Sequence, residues 1–187
     1  MSSPRKQPGA GQQLPFVQAM RKGAQLLQAG RASEALPYLL QAHMQRPNNT
    51  DAAINLGSAY MMLNQYRRAV YILEEAANLE PENSKIWINL GAACLGNPVL
   101  ARAKSQARAI VAFEKALELD PAAPSVNYNL GLIYRDQAKL ATAMEQFRRA
   151  AAVNPFDRDA RRLLQKLQHF VNGQAEQESS SNGNSHG

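Results

Sequence analysis

Three asparagines recur along the chain at nearly regular intervals, and each directly follows an apolar residue. The pairs are Ile54–Asn55, Ile88–Asn89 and Tyr128–Asn129. A carboxamide offers both hydrogen-bond donors and an acceptor, so a row of them can bond to the backbone of an extended peptide whatever its sequence. Each bond contributes only about 0.5–1.5 kcal/mol net, and several are needed for micromolar binding. The three amides therefore predict a peptide-binding row.

The residues around the amides predict a lining for the side chains of such a peptide. Met20 and Arg21 stand at the equivalent places nearer the N-terminus, so a cation replaces the first amide. Met61 and Met62 fall on the same predicted surface, and methionine adapts to many partners. Lys85 adds a positive charge to this predicted lining. A second interpretation stays open, in which the asparagines bond to neighbouring helices and have only a structural role.

Four prolines indicate the elements that must position these residues. Each proline closes a unit with the same internal pattern; the four are Pro47, Pro81, Pro121 and Pro155. When each proline is counted as position 32 of its unit, small residues fall at positions 8, 20 and 27, and larger apolar residues fall mostly at positions 7, 11 and 24. Small residues let two helices approach closely, and proline stops the second helix before the next unit begins. Each unit is therefore predicted to be a pair of helices.

The predicted units follow one another without a gap and cover residues 16–49, 50–83, 84–123 and 124–157. Their pattern resembles the tetratricopeptide repeat, a helix–turn–helix unit of about 34 residues. The resemblance implies an all-α, right-handed solenoid of four stacked repeats, because one repeat cannot bury its apolar side alone. Helical spacing then turns the amides, and the residues beside them, toward the concave side of the first helices.

The third unit differs from the others by six extra residues between its halves, within residues 96–105. We predict a partly helical extension there, because Val99, Leu100 and Ala103 recur at helical spacing. Whether this insertion has a function is left open.

Two known uses of tetratricopeptide repeats bear on the amides. The row is similar to the asparagine ladder in the repeat superhelix of O-GlcNAc transferases, where the same position holds the backbone of the target peptide. This resemblance implies peptide binding by the three asparagines, and not glycosyl transfer, because no transferase domain follows. The clamp that other repeats use for a chaperone's C-terminal carboxylate is incomplete here. Met20 and Ala24 stand at two of its places, and only Asn55, Lys85 and Asn89 remain polar.

Of the segments outside the repeats, the two tails are predicted to be disordered and the segment after the last repeat is predicted to be helical. Residues 1–14 and 173–187 have low hydrophobicity and no period, so both are predicted to be disordered tails. Residues 157–171 are predicted to form a helix that caps the apolar end of the last repeat. Its apolar residues, at helical spacing, are Leu163, Leu164, Leu167 and Phe170.

Composition and motifs exclude several classes of protein. No run of eighteen apolar residues predicts a membrane span, and the polar, proline-broken start predicts a cytoplasmic location. The single cysteine, Cys94, excludes internal disulfides and is predicted to be a buried structural thiol. The three histidines lie far apart, and no nucleotide-binding or metalloprotease motif occurs. The sequence therefore predicts no enzyme, no cofactor and no metal site.

The net charge of +6 is concentrated toward the C-terminal end, on helices that are expected to form the outer face of the solenoid. The favoured prediction is a non-enzymatic adaptor that holds an extended protein segment in its concave groove. The first alternative is a self-assembling scaffold that forms homo-oligomers. A basic module that binds nucleic acid is less favoured, because no aromatic residues alternate with the basic ones.

Overall fold

The computed structural model describes residues 14–96, 103–123 and 125–182. These residues form nine α-helices and no strand, which confirms the all-α prediction. The helices are α1 (Phe16–Gln28), α2 (Ala32–Gln45), α3 (Thr50–Met62), α4 (Tyr66–Leu79), α5 (Ser84–Leu95), α6 (Ala103–Leu119), α7 (Val126–Asp136), α8 (Leu140–Val153) and α9 (Arg158–Asn182).

The helices pack in consecutive pairs, and each pair packs against the next as in a solenoid. α1 pairs with α2, α3 with α4, α5 with α6, and α7 with α8. The second helix of each pair also contacts the first helix of the following one. In the first three pairs the first helices lie side by side, since α3 packs against both α1 and α5. α7 joins the third pair chiefly through α6.

The small residues predicted at the seams allow the two helices of a pair to approach closely. A Cβ added at Gly91 would lie 2.5 Å from the ring of Phe113, and one added at Gly131 would lie 2.7 Å from the ring of Phe147. Glycine at this position is therefore required by the large residue that faces it. The alanines at positions 20 and 27 are all buried; they are Ala35, Ala42, Ala69, Ala76, Ala109, Ala116, Ala143 and Ala150.

The turn inside three of the pairs requires one residue in left-handed backbone conformation. Gly30, Asn64 and Ala138 have φ values of 73°, 58° and 57°. After each, a backbone N–H donates to a carbonyl five residues earlier, which closes the end of the first helix. These bonds run from Arg31 to Leu26, from Gln65 to Tyr60 and from Lys139 to Tyr134, at 2.8, 2.8 and 2.9 Å.

Replacing Ala138 with glycine should raise the free energy of unfolding by up to about 1 kcal/mol. Left-handed backbone costs an L-residue roughly 1–2 kcal/mol, and the greater freedom of glycine in the unfolded chain offsets part of the gain. Urea denaturation followed by circular dichroism measures the change. Gly30→Ala is the matched control: nothing lies within 4 Å of the added Cβ, so this variant should lose stability through conformation alone. If both variants changed the free energy of unfolding in the same direction, the left-handed backbone conformation would not be the cause.

The last helix is longer than predicted. α9 continues beyond residue 171 to Asn182, so the tail predicted to be disordered from residue 173 is helical as far as Asn182. Glutamine, alanine and glutamate follow Gly173, and their high helix propensity carries the helix on although few of these residues are apolar.

Several predictions concern segments that the structure does not describe. Residues 1–13 of the N-terminal tail, residues 183–187, and residues 97–102 of the insertion with Val99 and Leu100, lie outside the described residues. At the N-terminal end of the described residues, the carbonyl of Leu14 accepts hydrogen bonds from the side chains of Gln41 and Gln45, at 2.7 and 2.8 Å. Among the described helices, none is long and apolar enough to cross a membrane.

Candidate functional site

The three predicted asparagines are half-exposed residues on the first helices of their pairs. Asn89 Nδ2 donates to the Lys85 carbonyl at 2.8 Å, and Asn129 Nδ2 donates to the Ser125 carbonyl at 2.9 Å. Each bond runs to the carbonyl four residues earlier in the same helix and uses one of the two N–H donors of the amide. The second N–H and lone pairs of the oxygen therefore stay available to a ligand.

The structure brings two of the asparagines onto helices that pack together. Asn55 lies on α3 and Asn89 on α5, and Ser58 Oγ lies 3.4 Å from Asn89 Oδ1 between these two helices. Asn129 stands apart on α7, which contacts the third pair mainly through α6. The predicted row therefore joins the second and third pairs directly and reaches the fourth only across a looser junction.

The apolar residues beside the amides are partly used by the core. Met20, Ile54 and Met61 pack against the core shared by the first three pairs, and Ile88 packs against the core between the third and fourth. Met62 is 48% exposed and is free to contact a ligand. Most of these apolar side chains are therefore only partly exposed, and each has a small surface with which a ligand could make contact.

Tyr128 stands at the equivalent place on α7, and its ring lies edge-on to Phe147 with the ring centroids 5.8 Å apart. Burial raises the pKa of the Tyr128 hydroxyl, and the carboxylates of Asp159 and Asp157 add to this effect. Arg135 and Arg162 act in the opposite direction. Charged groups of α9 therefore lie close to the predicted site.

The position of α9 corrects, for Arg162, the prediction that the cations of this helix form the outer face, because Arg162 lies close enough to Tyr128 to lower its pKa. α9 packs against α8 as α3 packs against α2 and α5 against α4, so it occupies the place of a fifth first helix. Arg162 and Lys166 then stand where Tyr128 and Leu132 stand on α7. The sequence could have revealed this, because the 34-residue period that separates Asn55 from Asn89 continues from α7 into α9.

A buried amide beside the site is a feature that the sequence pattern did not predict. Asn127 is only 5% exposed, and its Oδ1 has no hydrogen-bond partner among the described residues. It borders a cavity of about 290 Å³ whose other walls include Tyr128, Val153 and Asn154. The third pair has Trp87 at the same place, so the break in the apolar pattern at Asn127 was the available signal.

The remaining predicted residues are exposed charges and a thiol. Arg21 and Lys85 are both exposed on first helices. Cys94 is half-buried rather than fully buried, and burial raises the pKa of its thiol. A neutral thiol is a poor nucleophile. Within the part of the chain that is described, no three histidine, cysteine or acidic side chains come together as a metal site.

This arrangement defines a class of protein: an all-α solenoid built from repeated pairs of helices. Models of the tetratricopeptide repeat match residues 26–94 and 124–157, and a TPR repeat model matches residues 103–137. The chain therefore belongs to the tetratricopeptide repeat family. Proteins of this family bind other proteins and are generally non-enzymatic adaptors, so a protein-interaction or scaffold role follows.

Solved structures share the fold at low sequence identity. TTC0263, a thermophilic TPR protein of Thermus thermophilus, is 18% identical with a TM-score of 0.71, and the match covers 84% of this chain and 83% of that one. MamA from Desulfovibrio magneticus RS-1 is 21% identical with a TM-score of 0.67, over 92% and 98% of the two chains. A search of curated proteins finds no relative by sequence.

Proposed function

We propose that this protein is a non-enzymatic adaptor whose first helices hold an extended segment of a partner protein. The inner surface consists of Asn55, Asn89 and Asn129 with the residues beside them, which are Met20, Arg21, Ile54, Met61, Met62, Lys85, Ile88 and Tyr128. In this proposal the amides bond to the partner's backbone, and the apolar residues contact its side chains. We further propose that the protein acts in the cytoplasm.

The observation that carries the proposal is the hydrogen bonding of the amides. If the asparagines were structural bridges, they would bond strongly to neighbouring helices. Asn89 and Asn129 instead bond to carbonyls of their own helices, and the only hydrogen bond between helices that the described residues show for them is the long one from Ser58 to Asn89. The amides of Asn89 and Asn129 are therefore oriented in advance, which lowers the entropic cost of binding a peptide.

Changing Asn55, Asn89 and Asn129 together to alanine should weaken the binding of a groove peptide at least about tenfold, because several backbone hydrogen bonds are lost at once. The peptides for this test are those selected by the wild-type protein from a random peptide library. Fluorescence anisotropy measures their affinity, and circular dichroism checks that helicity and melting temperature are retained.

A matched control replaces three other exposed asparagines, Asn48, Asn78 and Asn172, with alanine. This variant should bind like the wild type. Normal binding by the first variant would show that the amides are not part of the site. Unfolding of the first variant alone would show that they are structural.

A scaffold role is favoured by exposed aromatic residues at the C-terminal end. Phe156 is 88% exposed and Phe170 is 52% exposed. If two copies bring such residues together, they form an apolar patch of the kind that marks contacts between proteins. Light scattering separates the two roles. A mass of one 20.5 kDa chain at micromolar concentration would exclude the scaffold, whereas a larger mass that added groove peptide does not change would place self-assembly outside the groove.

A further inference from the structure

The inner surface changes character from one end to the other. Over the first three pairs it carries amides, methionines and isoleucines, with Arg21 and Lys85 as its cations. With the 34-residue period counted from α7, Arg162 stands at the place of Tyr128, Lys166 at that of Leu132 and His169 at that of Arg135, and all three are exposed. Leu163 stands at the place of Asn129. The change is from a surface of mainly amide and apolar side chains with single cations to one that carries two cations one helical turn apart, with Asp159 as an acidic neighbour on the same helix.

The cations of α9 lack the carboxylate partners that the arginines of α7 and α8 have. Arg148 and Arg149 on α8 share the carboxylate of Glu145, and Arg135 pairs with Asp136 at 2.7 Å. In the described part of the chain, no ion pair forms at the cations of α9, which are Arg158, Arg161, Arg162 and Lys166.

The spacing of these cations is itself unfavourable. Arg158, Arg162 and Lys166 follow one another at intervals of four residues, so like charges are neighbours on one face of the helix. Helical spacing places them opposite the side that carries Ala160 and Leu167. Ala160 is fully buried and Leu167 half-buried. The charged face is therefore directed away from the packing against α8 and is open to a partner.

We propose that the segment held by this surface is amphiphilic, with acidic residues that pair with Arg162 and Lys166 and apolar residues that lie over the first three pairs. The proposal rests on the proposed function and adds the chemistry of the partner: a protein segment that carries aspartate or glutamate at one end.

The rest of the surface favours a protein over other polyanions. A nucleic acid carries charge along its whole length and would need cations throughout, but the first three pairs offer mainly amides and apolar side chains. An anionic membrane would need the apolar side of α9 to enter the bilayer. Here Ala160 is fully buried and Leu163, Leu164 and Leu167 are half-buried, so Phe170 is the only large apolar residue of α9 that the described residues show as exposed. An acidic peptide with an apolar part matches both ends of the surface.

The experiment selects peptides from a random phage-displayed library on three full-length proteins. These are the wild type, the variant Arg162→Gln/Lys166→Gln, and the control Arg67→Gln/Lys104→Gln. The control removes the same two charges from exposed sites on the second helices α4 and α6. Peptides from the wild type should be enriched in acidic residues at one end and apolar residues at the other. The first variant should lose only the acidic enrichment, and the control should keep both.

The affinities of the selected peptides give the quantitative test. Acidic peptides should bind Arg162→Gln/Lys166→Gln about tenfold more weakly than the wild type, with binding to the wild type weakening as salt is raised, because the lost contacts are exposed charge pairs. Enrichment without acidic residues would overturn the proposal and leave the adaptor function standing. No enrichment at all would overturn both. A labelled oligothymidine that binds only when Arg162 and Lys166 are present, without acidic peptides being selected, would assign the cations to nucleic acid instead.

Discussion

Phe113→Ala should lower the free energy of unfolding by about 3–5 kcal/mol, the range typical of removing a fully buried aromatic side chain. Phe113 is completely buried and fills the seam between α5 and α6, where it faces Gly91. It also belongs to the core that joins the third and fourth pairs. Loss of this side chain therefore weakens both the packing of α5 against α6 and the packing of the third pair against the fourth. Chemical denaturation at constant temperature measures the change.

A double-mutant cycle with Gly91 identifies the cause. Gly91→Ala alone should cost about 1–3 kcal/mol through overpacking, because the new Cβ would lie 2.5 Å from the Phe113 ring. In the Phe113→Ala background, Gly91→Ala should lower the free energy of unfolding much less, because the ring that the new Cβ would meet is absent. Gly173→Ala is the control: nothing lies within 4 Å of the added Cβ, and better helix propensity should stabilise by up to about 1 kcal/mol. Additive effects at Gly91 and Phe113 would rule out the steric explanation.

Removing α9, by ending the chain at Asp157, should cost about 2–5 kcal/mol or cause association that depends on concentration. α9 covers the open end of the fourth pair, with Ala160 fully buried and Leu163 and Leu164 half-buried. Without it, apolar surface of α8 is exposed to water and becomes available to a second copy. Thermal denaturation and light scattering measure the two outcomes.

The matching control ends the chain at Gly173 and keeps the buried Ala160 and the half-buried Leu163, Leu164 and Leu167. This shorter truncation should change stability little, because it removes only the distal part of the helix. Full stability of a monomer that ends at Asp157 would show that α9 is not a cap. Equal losses in the two truncations would place the important contacts beyond residue 173.

The sequence by itself determined the helices and their pairing. Each pair is held by contacts between positions close in sequence, such as Gly57 against Leu73 and Gly131 against Phe147. These contacts recur with the period of the repeat, so a pattern of small and large residues is enough to predict them. The prolines and the left-handed turn residues then separate the helices, because backbone sterics act within a few residues.

The tertiary structure alone decided how the repeats meet and which side chains share a surface. Asn129 occupies the same repeat position as Asn55 and Asn89. The helices of Asn55 and Asn89 pack against each other, whereas the helix of Asn129 contacts the third pair mainly through α6. The sequence predicts the cations of α9 on the outer face, and packing against α8 instead places Arg162 near Tyr128. Such relations depend on contacts between different repeats, which follow from the fit of whole helix surfaces. A sequence period repeats the residues of each unit but does not specify that fit.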